Sequence, residues 1–211
     1  MLIRGHEVLA ILNAHGIVPS GVLHIGAHEC EEKDFYNTIL QIPDNKIVWI
    51  DANPVLVDRM RARGHLNVYQ GAISYESKEL DFNVSNNGQS SSLLDFGLHE
   101  KYHSHVHYVA KIKVQTETLA QFYARNEVDG SALDFWNLDI QGVEYDVLRA
   151  AAADGLLEGC KAIYSEVNTG EVYKGCGLMS QIDELLAGYG FKRVRTEMTQ
   201  CEWGDALYIK A

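Results

Sequence analysis

The most constraining stretch of the chain is Gly21-Val-Leu-His-Ile-Gly-Ala-His-Glu29, where an apolar run (Val22, Leu23, Ile25) stops at Gly26-Ala27. Such a run, followed by a segment with helical spacing, reads as the first strand and nucleotide-binding turn of an open α/β sheet. A second apolar run, Lys46-Ile-Val-Trp-Ile-Asp51, ends in an acid 25 positions beyond Gly26. That is close to the roughly 20-residue spacing at which a carboxylate accepts hydrogen bonds from a ribose diol. The full G-x-G-x-x-G is absent, so the turn and the downstream acid carry the reading together.

The rest of the chain repeats this rhythm. A helix over about residues 5–15 places Val8, Leu9, Ile11 and Leu12 on one side, with Gly16 as its stop. Phe35, Tyr36, Ile39 and Leu40 predict a helical stripe after the first strand. Asn53-Pro54 reads as an N-cap and first helical residue, and Gly64 closes that helix. Asn67 to Ile73 is a third strand candidate, and the alternation predicts a doubly wound, mostly parallel sheet. About residues 79–115 break the pattern. Leu80, Phe82 and Val84 alternate, Asn86-Asn-Gly88 signals a turn, and Gln89-Ser-Ser-Ser-Leu93 leads into a polar stretch. Thr118-x-x-Gln121 is a candidate capping box. An insertion of this kind reads as a lid or substrate-shaping element within one domain over residues 1–211.

Regular order returns with Ala132 to Ile140, a helix carrying Val143, Val147, Leu148 and Ala151, and a strand over Lys161 to Glu166. After a helix over Leu178–Tyr189, the runs Phe191–Val194 and Ala206–Ile209 lie too close to enclose a helix, so they must pair antiparallel. That is not the usual ending of a nicotinamide-dependent dehydrogenase.

Composition narrows the partners. A formal net charge of −11 and no Lys/Arg run argue against a nucleic-acid partner. No apolar stretch approaches a membrane span, and the start lacks a signal-peptide layout. Four scattered cysteines without a C-x-x-C point to reduced thiols and a cytoplasmic location.

Three acids fall at strand ends: Asp51, suited to a ribose; Asp139, inside the apolar run Trp136, Leu138, Ile140; and Glu166. A carboxylate among apolar residues is costly unless it is paired or works on a ligand, which makes Asp139 a ligand or catalytic candidate. Glu144 reads more readily as a helix N-terminal charge. The serines at 90–92 read equally as a flexible turn or as donors facing a ligand. The alternation of His103, His105 and His107 would put them on one face of a strand; solvent-exposed loop histidines are commoner than a metal site, and no metal is expected. His28 stands where it can approach a ligand, whereas His24 reads as a satisfied core histidine.

The ordered blocks Val22–His28, Trp49–Pro54, Gln89–Leu93, Leu138-Asp-Ile-Gln-Gly-Val-Glu144 and Ser165-Glu-Val together resemble the FkbM family of S-adenosylmethionine-dependent methyltransferases, over roughly residues 20–210. The resemblance implies a class I methyltransferase (Rossmann-like) sheet ending in an antiparallel hairpin, with S-adenosylmethionine as cofactor. It also implies O-methylation, commonly of a sugar or polyketide hydroxyl, so the expected partner is a small-molecule or glycan acceptor. The chain departs from the family pattern at His24, His28 and Gln141, where the family carries an acid, an asparagine and a glutamate; a lysine in the fourth-strand block is also replaced. On this footing Gly26, Ala27 and Glu29 are expected at the methionine end of the cofactor, Asp51 at the ribose, and Ala72 and Ile73 beside the adenine. Ala52 and Ser91 complete the expected cofactor contacts. Asp139 is the leading base or amino-group ligand, with Glu166 and His28 behind it. Two other classes share the opening turn: a nicotinamide-dependent oxidoreductase and a non-catalytic nucleotide-fold binding module.

Overall fold

The computed structural model describes all residues from Met1 to Ala211. In chain order the elements are α1 (Gly5–Ala14), β1 (Val22–Ile25), β2 (Ile47–Asp51), α2 (Pro54–Ala62), β3 (Val68–Gln70), β4 (Ala72–Ile73) and β5 (Glu79–Ser85). They continue with α3 (His99–Tyr102), β6 (Tyr108–Glu117), α4 (Leu119–Asn126), β7 (Phe135–Leu138), α5 (Glu144–Ala153), β8 (Ala162–Asn168), α6 (Met179–Ala187), β9 (Phe191–Met198) and β10 (Trp203–Lys210). Seven strands form one sheet in the order β3-β2-β1-β7-β8-β10-β9. β1 pairs in parallel with β2 and β7, and β7 in parallel with β8. β10 runs antiparallel to both β8 and β9, which is the closing hairpin expected from the sequence.

Every residue of β1, β2, β7 and β8 is buried, as continuous apolar runs covered on both faces require. Side chains alternate between two cores. Leu23, Ile25, Val48 and Ile50 pack with residues of α4, α5 and α6, such as Phe122, Leu148 and Leu186. Val22, Ile47 and Trp49 pack on the opposite face with Val8 and Leu12 of α1, Tyr36, and Val57 and Met60 of α2. His24 sits in this second layer, where its Nδ1 lies 3.0 Å from the Tyr36 hydroxyl, which in turn accepts from Asn137 at 2.7 Å. Burial pushes the His24 imidazole below its usual range. It is a core histidine with its polar atom satisfied.

Caps read from the sequence are present. Asn53 accepts from Val55 N–H ahead of Pro54, and Thr118 and Gln121 exchange both bonds of a capping box. Three elements differ. The stripe after β1 yields only a short π-helical turn over Phe35–Ile39, because its apolar residues meet the core within one turn. The apolar run Asn67–Ile73 is two strands: β3 joins the main sheet, and after Gly71 the chain crosses into a second sheet of order β4-β6-β5. His103, His105 and His107 precede β6 rather than lying on it, so they do not share a strand face.

Candidate active site

The carboxyl ends of β1, β2, β7 and β8 converge with the segment between β5 and β6 around a two-part cleft, as expected where strand order reverses in an open sheet. The first compartment is lined by Asp51, Ala52, Leu56, Ala72, Ile73, Phe82, Ser91, Leu93 and Val143. The second, about 430 Å³, is lined by Glu31 and Glu32 of the segment after β1 and by Glu166 and Asp205 of the sheet. Ser90, His99, His103, His105, Tyr173 and Trp203 form its other walls. Gly26, His28, Gln89, Asp139 and Gln141 line both, so the two compartments are continuous.

Gly26 makes this convergence possible. Its φ is +88°, and a Cβ there would lie 1.8 Å from the Asp139 carbonyl oxygen. Its N–H donates to Ile50 O at 2.8 Å, while Asp139 N–H donates to Ile25 O at 2.9 Å. The tips of β1, β2 and β7 are thereby held edge to edge. Gly26→Ala should cost about 3 kcal/mol or more, from the left-handed strain and the backbone displacement. A melting temperature roughly 6–12 °C lower would register it in a thermal scan; an unshifted transition would mean that the turn relaxes freely.

Asp51 lies at the tip of β2, buried. Its oxygens accept from the N–H groups of His28 and Asn53, both at 2.8 Å. Burial raises its carboxyl above the ordinary range against those two bonds. His28 has φ +42°, and its Nδ1 lies 2.6 Å from Glu31 Oε1. That contact raises the imidazole's pKa. Burial opposes the ionised Glu31, but the His28 contact prevails and holds it down to about 2.

The block Asp139-Ile-Gln-Gly-Val-Glu144 forms a turn closed by its own last residue. Glu144 is 1% exposed and takes the N–H groups of Ile140 at 2.8 Å and Gly142 at 3.0 Å. It is a structural staple, and burial pushes it up to about 8. Gln141 (φ +56°) and Gly142 (φ +103°) make the turn. Gly142 packs so closely that a Cβ would meet Cys176 Cβ at 2.9 Å. Asp139 and Gln141 consequently project into the cleft. Loss of bulk solvent at the cleft floor, aided by Asp205 and Glu32, pushes Asp139 up to about 6. Glu166 is raised further, first by burial and then by Asp139, Glu144 and Asp205.

Most of the residues expected at the site meet here: Gly26, His28, Asp51, Ala52, Ala72, Ile73, Ser91, Asp139 and Glu166 all line the cleft. Two do not. Ala27 is packed into the core beneath the turn. Glu29 is drawn to α2, where Arg59 and Arg63 hold its oxygens at 2.7 and 2.8 Å on the outer surface. Glu29→Ala should therefore leave S-adenosylhomocysteine affinity within about fivefold by calorimetry, the scale of an exposed ion pair; a larger loss would return it to the site. Ser91 borders the first compartment, but its hydroxyl donates to Gly88 O at 2.7 Å and holds the turn. Ser92 ties that turn to Gln141 O at 2.8 Å. Gln141, Tyr173 and Asp205 were not singled out by sequence reasoning; for Gln141 the departure from the family pattern was the available signal. No three His, Cys, Asp or Glu side chains are grouped to hold a metal ion.

An apolar slot with an acceptor-only carboxylate at its end fits a purine nucleoside whose diol donates to Asp51. A mostly parallel sheet, that slot and the closing antiparallel strand define a class I methyltransferase. The model of the methyltransferase FkbM domain matches residues 24–193, and the chain belongs to that family of S-adenosylmethionine-dependent enzymes. A protein of the NADB-Rossmann superfamily from Streptococcus agalactiae is similar in structure, with a TM-score of 0.51 and 10% identity over 100% of this chain and 69% of that one. Magnesium protoporphyrin IX methyltransferase from Synechocystis PCC 6803, with bound SAM, superposes with a TM-score of 0.42 at 12% identity, covering 98% and 78% of the two chains. A SAM-dependent methyltransferase from Bacteroides fragilis in complex with S-adenosylhomocysteine gives 0.43 at 11%, covering 100% and 81%. No curated protein matches the sequence. No helix is long and apolar enough to cross a membrane.

Proposed function

We propose that the enzyme methylates a hydroxyl group of a sugar or glycan, with Asp139 as the general base. The observation that carries this reading is the position of Asp139, at the seam of the two compartments, beside a second chamber walled by carboxylates and by the half-buried ring of Trp203. Carboxylates accept from several hydroxyls at once, and ring faces cover the apolar side of a sugar, which suits a polyhydroxylated acceptor.

S-adenosylmethionine, when bound, supplies an already activated methyl group, so the protein's task is to align, dehydrate and deprotonate. Asp51 would accept from the ribose, while Ala72, Ile73, Leu56 and Leu93 would border the base. Gly26, which lines both compartments, would border the methionine end. Asp139 would take the acceptor's hydroxyl proton, which requires its ionised form. Glu166 and Asp205 orient the remaining hydroxyls. The test is a panel of sugars and glycans incubated with the enzyme and S-adenosylmethionine, with products mapped by mass spectrometry and NMR. Transfer to a sugar oxygen is expected; methylation confined to nitrogen or carbon centres would overturn the reading.

A further inference from the structure

The side chain of Gln141 makes three hydrogen bonds at the seam between the compartments. Its Nε2 donates to Asp139 Oδ1 at 2.6 Å and to Glu166 Oε2 at 2.9 Å, while its Oε1 accepts from the Tyr173 hydroxyl at 2.5 Å. Only an amide nitrogen has two hydrogens to divide between two carboxylates, so these contacts fix which way the amide faces. The two acceptor oxygens can be no further apart than those two bonds laid end to end. Glutamate, which the family pattern carries at this position, would place a third acid between them.

We propose that Gln141 is a positioning residue that joins Asp139 and Glu166 into one coupled acid pair, so that the base offered to the acceptor is an ionisation of the pair and not of Asp139 alone. This rests on the reading of Asp139 as the base. Like charges so close do not both ionise readily, and one proton stays on the more secluded member. Glu166 is that member: it is 7% exposed and has Glu144 of α5 and Asp205 of β10 around it. Asp139 opens onto the cleft and faces Asp205, Glu32 from the segment after β1, and the Met1 amino group. The chamber's other titratable neighbours are the paired His28 and Glu31 of the segment after β1, the histidines on its far wall and Tyr173; no lysine or arginine lines it. Within this ring of acids, Gln141 is the neutral donor that favours an ionised carboxylate on either side.

The backbone of residue 141 is held independently, by Ser92 on its carbonyl and by Glu144 on the flanking amides, so its side chain can be exchanged without dissolving the turn. The experiment is a pH titration of the whole chain, with 13C-labelled carboxyls followed by NMR, in wild type, Gln141→Met, Gln141→Glu and Tyr173→Phe. In wild type, Asp139 and Glu166 should each report the same two steps. Removing the donors, or adding an anion, should move the lower step up by about one pH unit, a tenfold change in proton affinity. Tyr173→Phe, which frees the amide, should move it less and in the same direction, and keeps the test open if both Gln141 variants fail to fold. Midpoints unchanged in every variant that folds, or a single independent step for each carboxylate in wild type, would overturn the proposal. The titration needs no acceptor. Failure of Asp139 as the base would appear in turnover alone and leave the pair intact.

Discussion

Asp139→Asn should lower kcat by about 10²–10⁴, the range over which a positioned general base acts. The exchange keeps size and shape but removes the capacity to take a proton. S-adenosylhomocysteine affinity, read by calorimetry, should stay within a few-fold. The pH profile supplies a second reading. Burial and the neighbouring acids push the Asp139 carboxyl up to about 6, so the acid pair it forms with Glu166 offers an ionised base above that pH and loses it below. Wild-type turnover should therefore fall about tenfold per unit as pH drops below 6, and the residual rate of the variant should lose that limb. Preserved turnover with weakened cofactor binding would reassign Asp139 to the cofactor's amino group.

The second large effect is expected at Asp51. Asp51→Ala should weaken S-adenosylhomocysteine binding by about 10²-fold, since each hydrogen bond to a charged acceptor is worth roughly 1.5–3 kcal/mol. The truncation also strands the N–H groups of His28 and Asn53, which both donate to this carboxylate. A ligand control separates the two losses. An analogue lacking both ribose hydroxyls should bind wild type far more weakly than S-adenosylhomocysteine does, and the variant about equally. Equal discrimination in both proteins would sink the ribose assignment.

What could be read from the chain alone follows from how local each feature is. Asp139 was legible because a carboxylate between Trp136 and Ile140 contradicts its surroundings. Asn53-Pro54 and Thr118-x-x-Gln121 were legible because a cap is settled within four residues. The partition of Asn67–Ile73 between two sheets was not, since Val68, Tyr69, Ala72 and Ile73 suit either sheet and the break depends on where β6 returns. The pairing of Glu29 with Arg59 and Arg63 was not legible, because they lie 30 and 34 positions downstream and only the fold brings them to it. Asp205 belongs to β10, and its place at the cleft depends on that strand pairing with β8. Gln141 becomes informative only once its turn aims it between two acids.

The segment between β5 and β6 contributes Ser90, His99, His103 and His105 to the second chamber, while the strand ends supply Asp51 and Asp139. One wall of the second chamber is thus built from a single stretch of polypeptide, tied to the rest by the Ser92 hydroxyl on Gln141 O and by backbone bonds between residues 95–99 and 171–174. Grafting residues 99–105 from a relative, with Gln89, Ser91 and Leu93 of the first compartment kept, should retarget the enzyme to a different acceptor while its S-adenosylhomocysteine affinity stays within a few-fold.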